Sequence, residues 1–185
     1  MEIIGITGTI GAGKGTVVDF LKQEKNMAHF SVRDFLIKEI LSRGLTIDRD
    51  SMTQVANELR QQNTPSYIVD QLYEKALETG KNCVIESIRT PGEIVSLREK
   101  GSFKLFAVDC DPQIRYQRIK ARASETDQVS YETFLANEER EMSTTDPNKQ
   151  NLKKCIEMAD FVFDNSGTVD QLNAKVAEVI RDLGL

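Results

Sequence analysis

The amino-acid sequence predicts an α/β protein in which a mostly parallel sheet of about five strands lies between layers of helices. Short, nearly continuous apolar runs alternate along the chain with longer stretches of helical periodicity. Continuous apolar runs are typical of parallel strands that are buried on both faces. The first of these runs also leads into a glycine-rich segment and then a helical pattern. Both observations indicate repeated strand–helix units in one sheet.

The strands follow from apolar runs, which are clearest at Ile3 to Ile6, at Cys83 to Ile85 and at Phe103 to Val108. Gly80 and Gly101 are expected to end the helices before the third and fourth strands. The predicted strands cover residues 2–7, 27–31, 82–86, 103–108 and 160–164. The predicted helices cover residues 14–24, 33–43, 51–62, 66–79, 91–99, 112–122, 130–142, 149–158 and 168–182.

Composition narrows the class of protein further. A length of 185 residues predicts one domain, 1–185, and a net charge of −5 argues against a nucleic-acid partner. No apolar run reaches the length of a membrane span, and no signal peptide is visible, so we expect a cytoplasmic protein with no membrane partner. The cysteines lack C-x-x-C spacing and are interpreted as reduced thiols without zinc: Cys83, Cys110 and Cys155. No sequence feature indicates an oligomeric state.

The glycine-rich segment has the pattern of a phosphate-binding loop, G-x-x-x-x-G-K-[ST], with Gly15 at the usual Ser/Thr position. Glycines let the backbone wrap a phosphate, and the N–H groups at the helix start point at the anion. Lys14 adds a positive charge for the β- and γ-phosphates. The candidate nucleotide-binding residues here are Gly8, Thr9, Gly11, Ala12, Gly13, Lys14, Gly15 and Thr16.

The loop, read as G-x-x-G-x-G-K-G-T, resembles that of adenylate kinase and other nucleoside monophosphate kinases. Ligands of such sheets bind beyond the carboxyl ends of the strands, and the resemblance continues at each strand end. It implies a three-layer sandwich of the P-loop NTPase type, with ATP and Mg²⁺ as cofactors and a small phosphorylated acceptor as partner. The resemblance also implies an acceptor-binding insert at about 32–79 and a short lid at about 122–130.

The segment after the second strand is similar to the H-x-S-x-G-D-x-L segment that starts the acceptor region of these kinases. Arg33 replaces its glycine, and Ile37 stands where the family often has a phosphate-binding arginine. The resemblance implies that Ser31, Arg33 and Asp34 bind the acceptor. Helix capping explains Ser31 and Asp34 equally well. His29, the only histidine, is interpreted as structural.

Glu86 and Arg89 follow the third strand in a segment that looks like the D-G-F-P-R-T segment of the same kinases. The resemblance implies that Glu86, with Thr16, holds a hydrated Mg²⁺ and that Arg89 grips the acceptor phosphate. Both residue types suit these ligands, because Mg²⁺ prefers hard oxygen atoms and a guanidinium forks onto phosphate. A surface ion pair remains the alternative for Arg89.

Acceptor specificity is expected in the region 44–70. Gln54, Asn57 and Arg60 recur there at positions i, i+3 and i+6, which predicts either a face toward the acceptor or an exposed polar face. Arg60 is the candidate substrate-binding residue of this group.

Arg118 and Arg122 lie four residues apart, so they share a helix face at the entrance of the predicted lid. The resemblance implies that one packs on the donor adenine and the other contacts phosphates, whereas solvated helix charges are the alternative. Arg140 is a further candidate phosphate contact. Asn165 and Gly167 lie in a loop that resembles the donor-adenine loop of these kinases.

The sequence therefore predicts ATP-dependent phosphoryl transfer to a (deoxy)nucleoside monophosphate, with Lys14, Arg89, Arg118 and Arg122 as catalytic residues. The run from Ala159 to Gly167 also resembles the end of dephospho-coenzyme A kinase, which keeps dephospho-coenzyme A open as the acceptor. A non-catalytic or regulatory nucleotide-binding module is the alternative from another class. A GTPase is excluded by the absence of an N-K-x-D sequence.

Overall fold

A computed structural model of the chain describes residues 1–122 and 129–185. Five strands form one parallel sheet in the order β2-β3-β1-β4-β5. The strands are β1 (Ile3–Gly8), β2 (Ala28–Ser31), β3 (Cys83–Glu86), β4 (Phe103–Asp109) and β5 (Phe161–Asp164). The helices of the described residues are α1 (Lys14–Lys25), α2 (Val32–Ser42), α3 (Arg49–Gln62), α4 (Tyr67–Thr79), α5 (Pro91–Lys100), α6 (Pro112–Arg122), α7 (Tyr131–Met142), α8 (Leu152–Glu157) and α9 (Val169–Asp182).

The predicted fold class is confirmed, since a parallel five-stranded sheet lies between helices. Element bounds differ from the predicted ones by a few residues. The largest shift is at α8, which is predicted at 149–158 and begins at Leu152. Its start is fixed by Asn151, whose side chain accepts a hydrogen bond from the backbone N–H of Lys154 at 3.1 Å.

Successive strand residues pack on opposite faces of the sheet, which creates the layers. Ile3 lies in an apolar core with side chains of α2, α3, α4 and α5. Ile4 and Ile6 lie in a second core, against α1 and α9. Within α9, Leu172, Val176 and Ile180 recur every four residues and are buried, as expected of a helix with one face on a sheet.

β1 lies at the centre of the sheet between β3 and β4, and the connections that leave β1 and β4 run to opposite sides of the sheet, toward β2 and β5. The carboxyl ends of these strands meet at one edge, where Ile6 pairs with Glu86 and Gly8 pairs with Val108. A crevice forms at such a switch point, and ligands of open α/β sheets bind there.

Residues 123–128, most of the predicted lid, lie outside the described residues. Within the described residues, every helix is too short or too polar to cross a bilayer.

Candidate functional site

The loop between β1 and α1 depends on glycine at two positions. Gly11 and Gly13 have φ angles of 77° and 95°, a left-handed region that other residues rarely adopt. Space is also restricted, because a Cβ on Gly11 would lie 2.7 Å from the carbonyl oxygen of Arg115. A Cβ on Gly13 would collide with the side-chain amide of Asn165. The loop therefore has a wrapped backbone that only this pattern of glycines allows.

Side chains from the neighbouring strand ends support the loop from behind. The Asn165 amide donates to the carbonyl oxygen of Ala12 at 2.8 Å, and the Thr9 hydroxyl donates to the Asp109 carboxylate at 2.7 Å. Asn165 is buried in this position, so its side chain braces the loop. A backbone contact of Asn165 with adenine stays a prediction.

Lys14 lies across the loop, where its ammonium group donates to the carbonyl oxygens of Gly8 and Thr9 at 2.9 and 2.8 Å. Burial of the amine, and secondly the positive charge of Arg89, lowers the pKa of Lys14 from 10.5 to about 7. A bound phosphate would counter both effects, since a nearby negative charge favours the ammonium form. The loop is thus prepared for an anion.

The loop opens onto a cavity of about 490 Å³, which we call the loop cavity. This volume lies in the range of about 300–1,000 Å³ that is usual for ligand sites. The predicted site residues that line it are Gly11, Gly13, Lys14, Gly15, Thr16, Arg33, Glu86, Arg89, Arg118 and Arg122. Gly8, Thr9 and Ala12 belong to the same loop but do not line the cavity.

Glu86 ends β3 beside the loop. It accepts a hydrogen bond from the Ser31 hydroxyl at 3.2 Å, and His29 Nε2 lies 3.5 Å from its other oxygen. Burial alone would raise the pKa of Glu86, but His29, Lys14 and Ser31 together lower it below its usual value. The carboxylate is therefore ionised at neutral pH. His29 thus lies beside Glu86, and its structural role stays a prediction.

The oxygen atoms of Glu86 and Thr16 are the ligand type that Mg²⁺ prefers. The described residues contain no group of three or more His, Cys, Asp or Glu side chains that could enclose a metal ion. A Mg²⁺ site here would therefore depend on phosphate oxygens and water for its remaining ligands, as Mg²⁺ sites in nucleotide-binding proteins commonly do.

The turn after β3 is strained at Ser87, which has a φ of 69°. Non-glycine residues in this region concentrate at functional sites, because the surrounding structure must hold them there. Here the Thr7 hydroxyl donates to the carbonyl oxygen of Ile88 at 2.7 Å, and the Ile88 N–H donates to Ile6 at 3.1 Å. The turn brings Arg89 back to the crevice.

A second cavity, of about 80 Å³, adjoins the first, and we call it the arginine cavity. Its wall includes the apolar side chains of Val32, Leu36, Met52 and Ala56. Its cationic side chains are Arg33, Arg49, Arg60 and Arg89, and Glu141 and Gln150 complete the polar wall. Arg33, Arg49, Ser87 and Arg89 line both cavities.

Arg60 is 1% exposed and is paired with the fully buried Glu93, to whose Oε1 it donates from Nη2 at 2.8 Å and from Nε at 3.3 Å. Its Nη1 has no hydrogen-bond partner among the described residues. Arg60 therefore combines a buried ion pair with one buried donor that lacks a hydrogen-bond partner, in a residue that lines the arginine cavity.

The predicted face of Gln54, Asn57 and Arg60 is only partly correct. Gln54 is exposed and donates to Glu58 at 2.8 Å. Six residues along a helix leave a net rotation of about 120°, so Gln54 and Arg60 point in different directions. The residues of α3 that line the arginine cavity instead follow helical spacing: Arg49, Met52, Thr53, Ala56 and Arg60.

Arg89 is held from several sides. Its Nη1 donates to Glu141 and, at 2.9 Å, to the Gln150 side chain. Its backbone N–H donates to Glu93 at 2.8 Å. Arg89 thus forms an ion pair, the alternative left open above, but with a buried partner and at the wall shared by both cavities.

Ser31 and Asp34 lie away from the arginine cavity and line a separate groove with residues of α2 and α4. The Ser31 hydroxyl accepts from the Asp34 backbone N–H at 3.2 Å, which is the capping hydrogen bond expected at the start of α2. Arg33, by contrast, lines both cavities.

Arg118 and Arg122 both line the loop cavity, which agrees with their shared helix face. Arg118 Nη2 lies 3.5 Å from the carbonyl oxygen of Gly167, so the predicted adenine loop is close to this arginine. Arg140 is not part of either cavity, because it pairs with Asp50 at 2.9 Å on the exposed surface.

Sequence reasoning missed Arg49, Ser87, Glu141 and Gln150. Arg49 had a detectable signal, since an arginine in the first turn of a helix is opposed by the helix dipole. Nothing in the sequence pattern distinguishes Glu141 and Gln150, which reach the cavity only through the packing of α7 and the segment before α8.

A family model described as an AAA domain matches residues 4–146. The chain belongs to this AAA domain family. A UPF0200 protein of Methanococcus vannielii is 29% identical over 190 residues, covering 99% of this chain and 99% of the relative. The matched residues include the β1 loop and most of the residues that line the crevice.

Two solved kinase structures share the fold of this AAA domain. Shikimate kinase from Aquifex aeolicus has a TM-score of 0.59 and 14% identity, with 98% of each chain covered. Dephospho-CoA kinase from Campylobacter jejuni has a TM-score of 0.51 and 14% identity, covering 98% of this chain and 96% of that one. These likenesses show that the chain has the fold of P-loop kinases.

Proposed function

We propose that this protein transfers the γ-phosphoryl group of ATP to a small phosphorylated acceptor, for which a (deoxy)nucleoside monophosphate is the first candidate. One observation carries the proposal: a phosphate-binding loop and an arginine-lined cavity adjoin each other and share Arg33, Arg49, Ser87 and Arg89 as their common wall. A donor phosphate on one side of that wall would face an acceptor anion on the other.

The roles of the residues follow from their positions. Lys14 would bind the β- and γ-phosphates, and Arg89, at the common wall, would orient the acceptor phosphate. Arg118 and Arg122 would contribute positive charge from the opposite side of the loop cavity. An acceptor oxygen attacks the γ-phosphorus as the bond to ADP breaks, so positioning and charge neutralisation supply the catalysis and no covalent enzyme intermediate is needed.

Thr16 and Glu86 are the residues that would hold Mg²⁺, directly or through water. Mg²⁺ bound there would neutralise charge on the donor phosphates. The lowered pKa of Glu86 keeps its carboxylate available for this purpose at neutral pH.

Dephospho-coenzyme A is the second candidate acceptor. The segment from Ala159 to Gly167, which resembles dephospho-coenzyme A kinase, contributes Asn165 to the support of the loop. This contact belongs to the donor side, and therefore it supports the shared fold more than a particular acceptor. A non-catalytic nucleotide-binding module would keep the loop cavity but would have no use for the adjoining arginine cavity.

The test is coupled ADP release with ATP and Mg²⁺ against all common ribo- and deoxyribonucleoside monophosphates and dephospho-coenzyme A. We expect strong stimulation by one monophosphate. Stimulation by dephospho-coenzyme A alone would replace the first acceptor with the second. ATP binding without stimulation by any acceptor would contradict the kinase proposal and favour the binding module.

A further inference from the structure

Glu141 is a buried carboxylate placed among the arginines of the common wall. It is 4% exposed, accepts a hydrogen bond from Arg89 Nη1, and lies with Oε1 3.6 Å from Arg49 Nη1. Arg49 comes from α3 and Arg89 from the turn after β3. Two guanidinium groups from separate elements thus converge on one internal anion.

The hydrogen bonds of Arg89 indicate that it does not need Glu141 for its position. Gln150 also accepts from Nη1, and the backbone N–H of Arg89 donates to Glu93. The carbonyl oxygen of Arg89 accepts from the Asn151 N–H at 2.8 Å. Because Gln150 also contacts the guanidinium and the other two contacts hold the backbone of the turn, the feature of Glu141 that Gln150 does not supply is its negative charge.

Glu141 belongs to α7, which also contacts the phosphate-binding loop indirectly. Glu138 of α7 pairs with Arg115, with Nη2 3.0 Å from Oε1, and Arg115 Nη1 donates to the carbonyl oxygen of Ile10 at 3.2 Å. The same helix therefore reaches the donor side through Glu138 and the acceptor side through Glu141.

We propose that Glu141 is an internal competitor for the acceptor: its carboxylate occupies the place between Arg49 and Arg89 where the acceptor's anionic group binds, and the acceptor must displace it. Two anions packed at one place repel each other, so they cannot both use these guanidinium groups. The proposal rests on the proposed function, since it concerns the acceptor side of the same crevice.

This arrangement selects among acceptors by charge. A phosphate carries a charge of about −1.5 to −2 and three acceptor oxygens, so it gains more from the two arginines than the single charge of Glu141 does. A monocarboxylate offers the arginines only what Glu141 already supplies. We therefore infer that the acceptor group is a phosphate and that carboxylates are excluded.

The test is calorimetric titration of the whole protein, saturated with ADP and Mg²⁺, with inorganic phosphate and separately with acetate. Glu141→Gln keeps the shape of the side chain and removes its charge. A charge-assisted hydrogen bond contributes about 1.5–3 kcal/mol, so we expect phosphate to bind about tenfold tighter or more. Acetate binding should also become measurable, which would reduce the discrimination between the two anions.

The matched control is Glu139→Gln, which changes an exposed carboxylate of the same helix and should leave phosphate affinity unchanged. Adding Arg89→Ala to Glu141→Gln should remove the gain in phosphate affinity. That result would show that the phosphate binds at Arg89. Glu141→Asp, whose shorter side chain holds the arginines less closely, should give an intermediate affinity and serves if the glutamine variant does not fold.

Unchanged or weaker phosphate binding by a folded Glu141→Gln variant would overturn the proposal, because it would make Glu141 a positioning residue for Arg89. The titration involves no turnover. Failure of every acceptor in the ADP-release assay would therefore count against the proposed function, and the phosphate titration separately decides the role of Glu141.

Discussion

The loop cavity and the arginine cavity adjoin each other but are built in different ways. One side of the loop cavity is a single contiguous segment whose backbone is fixed by Gly11 and Gly13, and side chains of α2, α3, α6 and the end of β3 complete its wall. The arginine cavity is assembled from side chains of α2, α3, the turn after β3, α7 and the segment before α8. The loop cavity is therefore built around a local structure, whereas the arginine cavity exists only when five parts of the chain are packed together.

The two regions also differ in how their charges are balanced. Arg60 and Arg89 have internal carboxylate partners, Glu93 and Glu141. Within the described part of the chain, Lys14 donates to two backbone carbonyl oxygens, and its pKa is lowered to about 7 although Glu141 and Glu86 oppose the shift. The arginine cavity thus holds its positive charges in ion pairs, whereas the cation of the loop cavity is less well compensated.

The largest effect on stability is expected from a substitution of Arg60, which lines the arginine cavity. Arg60→Met removes one partner of a fully buried ion pair and leaves the Glu93 carboxylate uncompensated. Such changes lower the free energy of unfolding by about 3–5 kcal/mol. Urea unfolding followed by circular dichroism measures the change.

Arg98→Met is the control for that substitution, since Arg98 pairs with Asp160 at the exposed surface. This control substitution should lower the free energy of unfolding by no more than about 1 kcal/mol. Equal costs for the two variants would show that Arg60 is not a structural residue and would leave the arginine cavity with a purely ligand-binding role.

The next predicted effect, on catalysis and ATP binding, distinguishes the function of the loop cavity from that of the arginine cavity. Lys14→Ala and Arg89→Ala should each lower kcat/KM by at least about a hundredfold, since removing one preorganised charged donor costs about 3 kcal/mol in the transition state. Lys14→Ala should also weaken ATP binding, whereas Arg89→Ala should retain it and raise the KM of the acceptor. Initial-rate kinetics with ATP-binding calorimetry distinguish the two patterns.

Lys22→Ala, an exposed lysine of the same helix, is the control for Lys14 and should leave both measurements unchanged. Wild-type-like turnover by either site variant would remove the role proposed for that residue. A loss of ATP affinity in Arg89→Ala as large as that in Lys14→Ala would show that the two cavities act as one.

The loop cavity and the arginine cavity also differ in how well the sequence predicts them. The loop could be recognised because its glycines, Lys14 and Thr16 are consecutive, and alternating apolar runs were sufficient to predict the sheet. Glu86 and Arg89 could be placed at the crevice because Glu86 ends β3 and Arg89 lies in the turn after it. In each case the information is local.

The arginine cavity could be predicted only in part, because its geometry depends on helix rotation and on packing between distant elements. Gln54 and Arg60 illustrate rotation, since both lie in the predicted region but only Arg60 lines the cavity. Arg49 illustrates packing: Ile37 occupies the position where the resembling kinases often have an arginine, and α3 supplies an arginine from elsewhere. Glu141 lies about ninety residues further along the chain, where no local pattern indicates its contact with Arg49.

The smallest expected effect is the pH dependence of nucleotide binding, which tests how poorly Lys14 is compensated. Its pKa of about 7 in the free protein should rise when phosphates bind, so binding above pH 7 should take up a proton. The association constant should therefore fall as pH rises above 7, by at most about tenfold per pH unit. Calorimetry at about pH 8, in buffers with different ionisation enthalpies, measures the uptake directly.

Lys14→Arg, whose guanidinium stays charged, should bind without this uptake. Binding by the wild-type protein without proton uptake would mean that Lys14 is already charged. The charge of Lys14 in the loop cavity would then be as well compensated as the arginine charges of the arginine cavity.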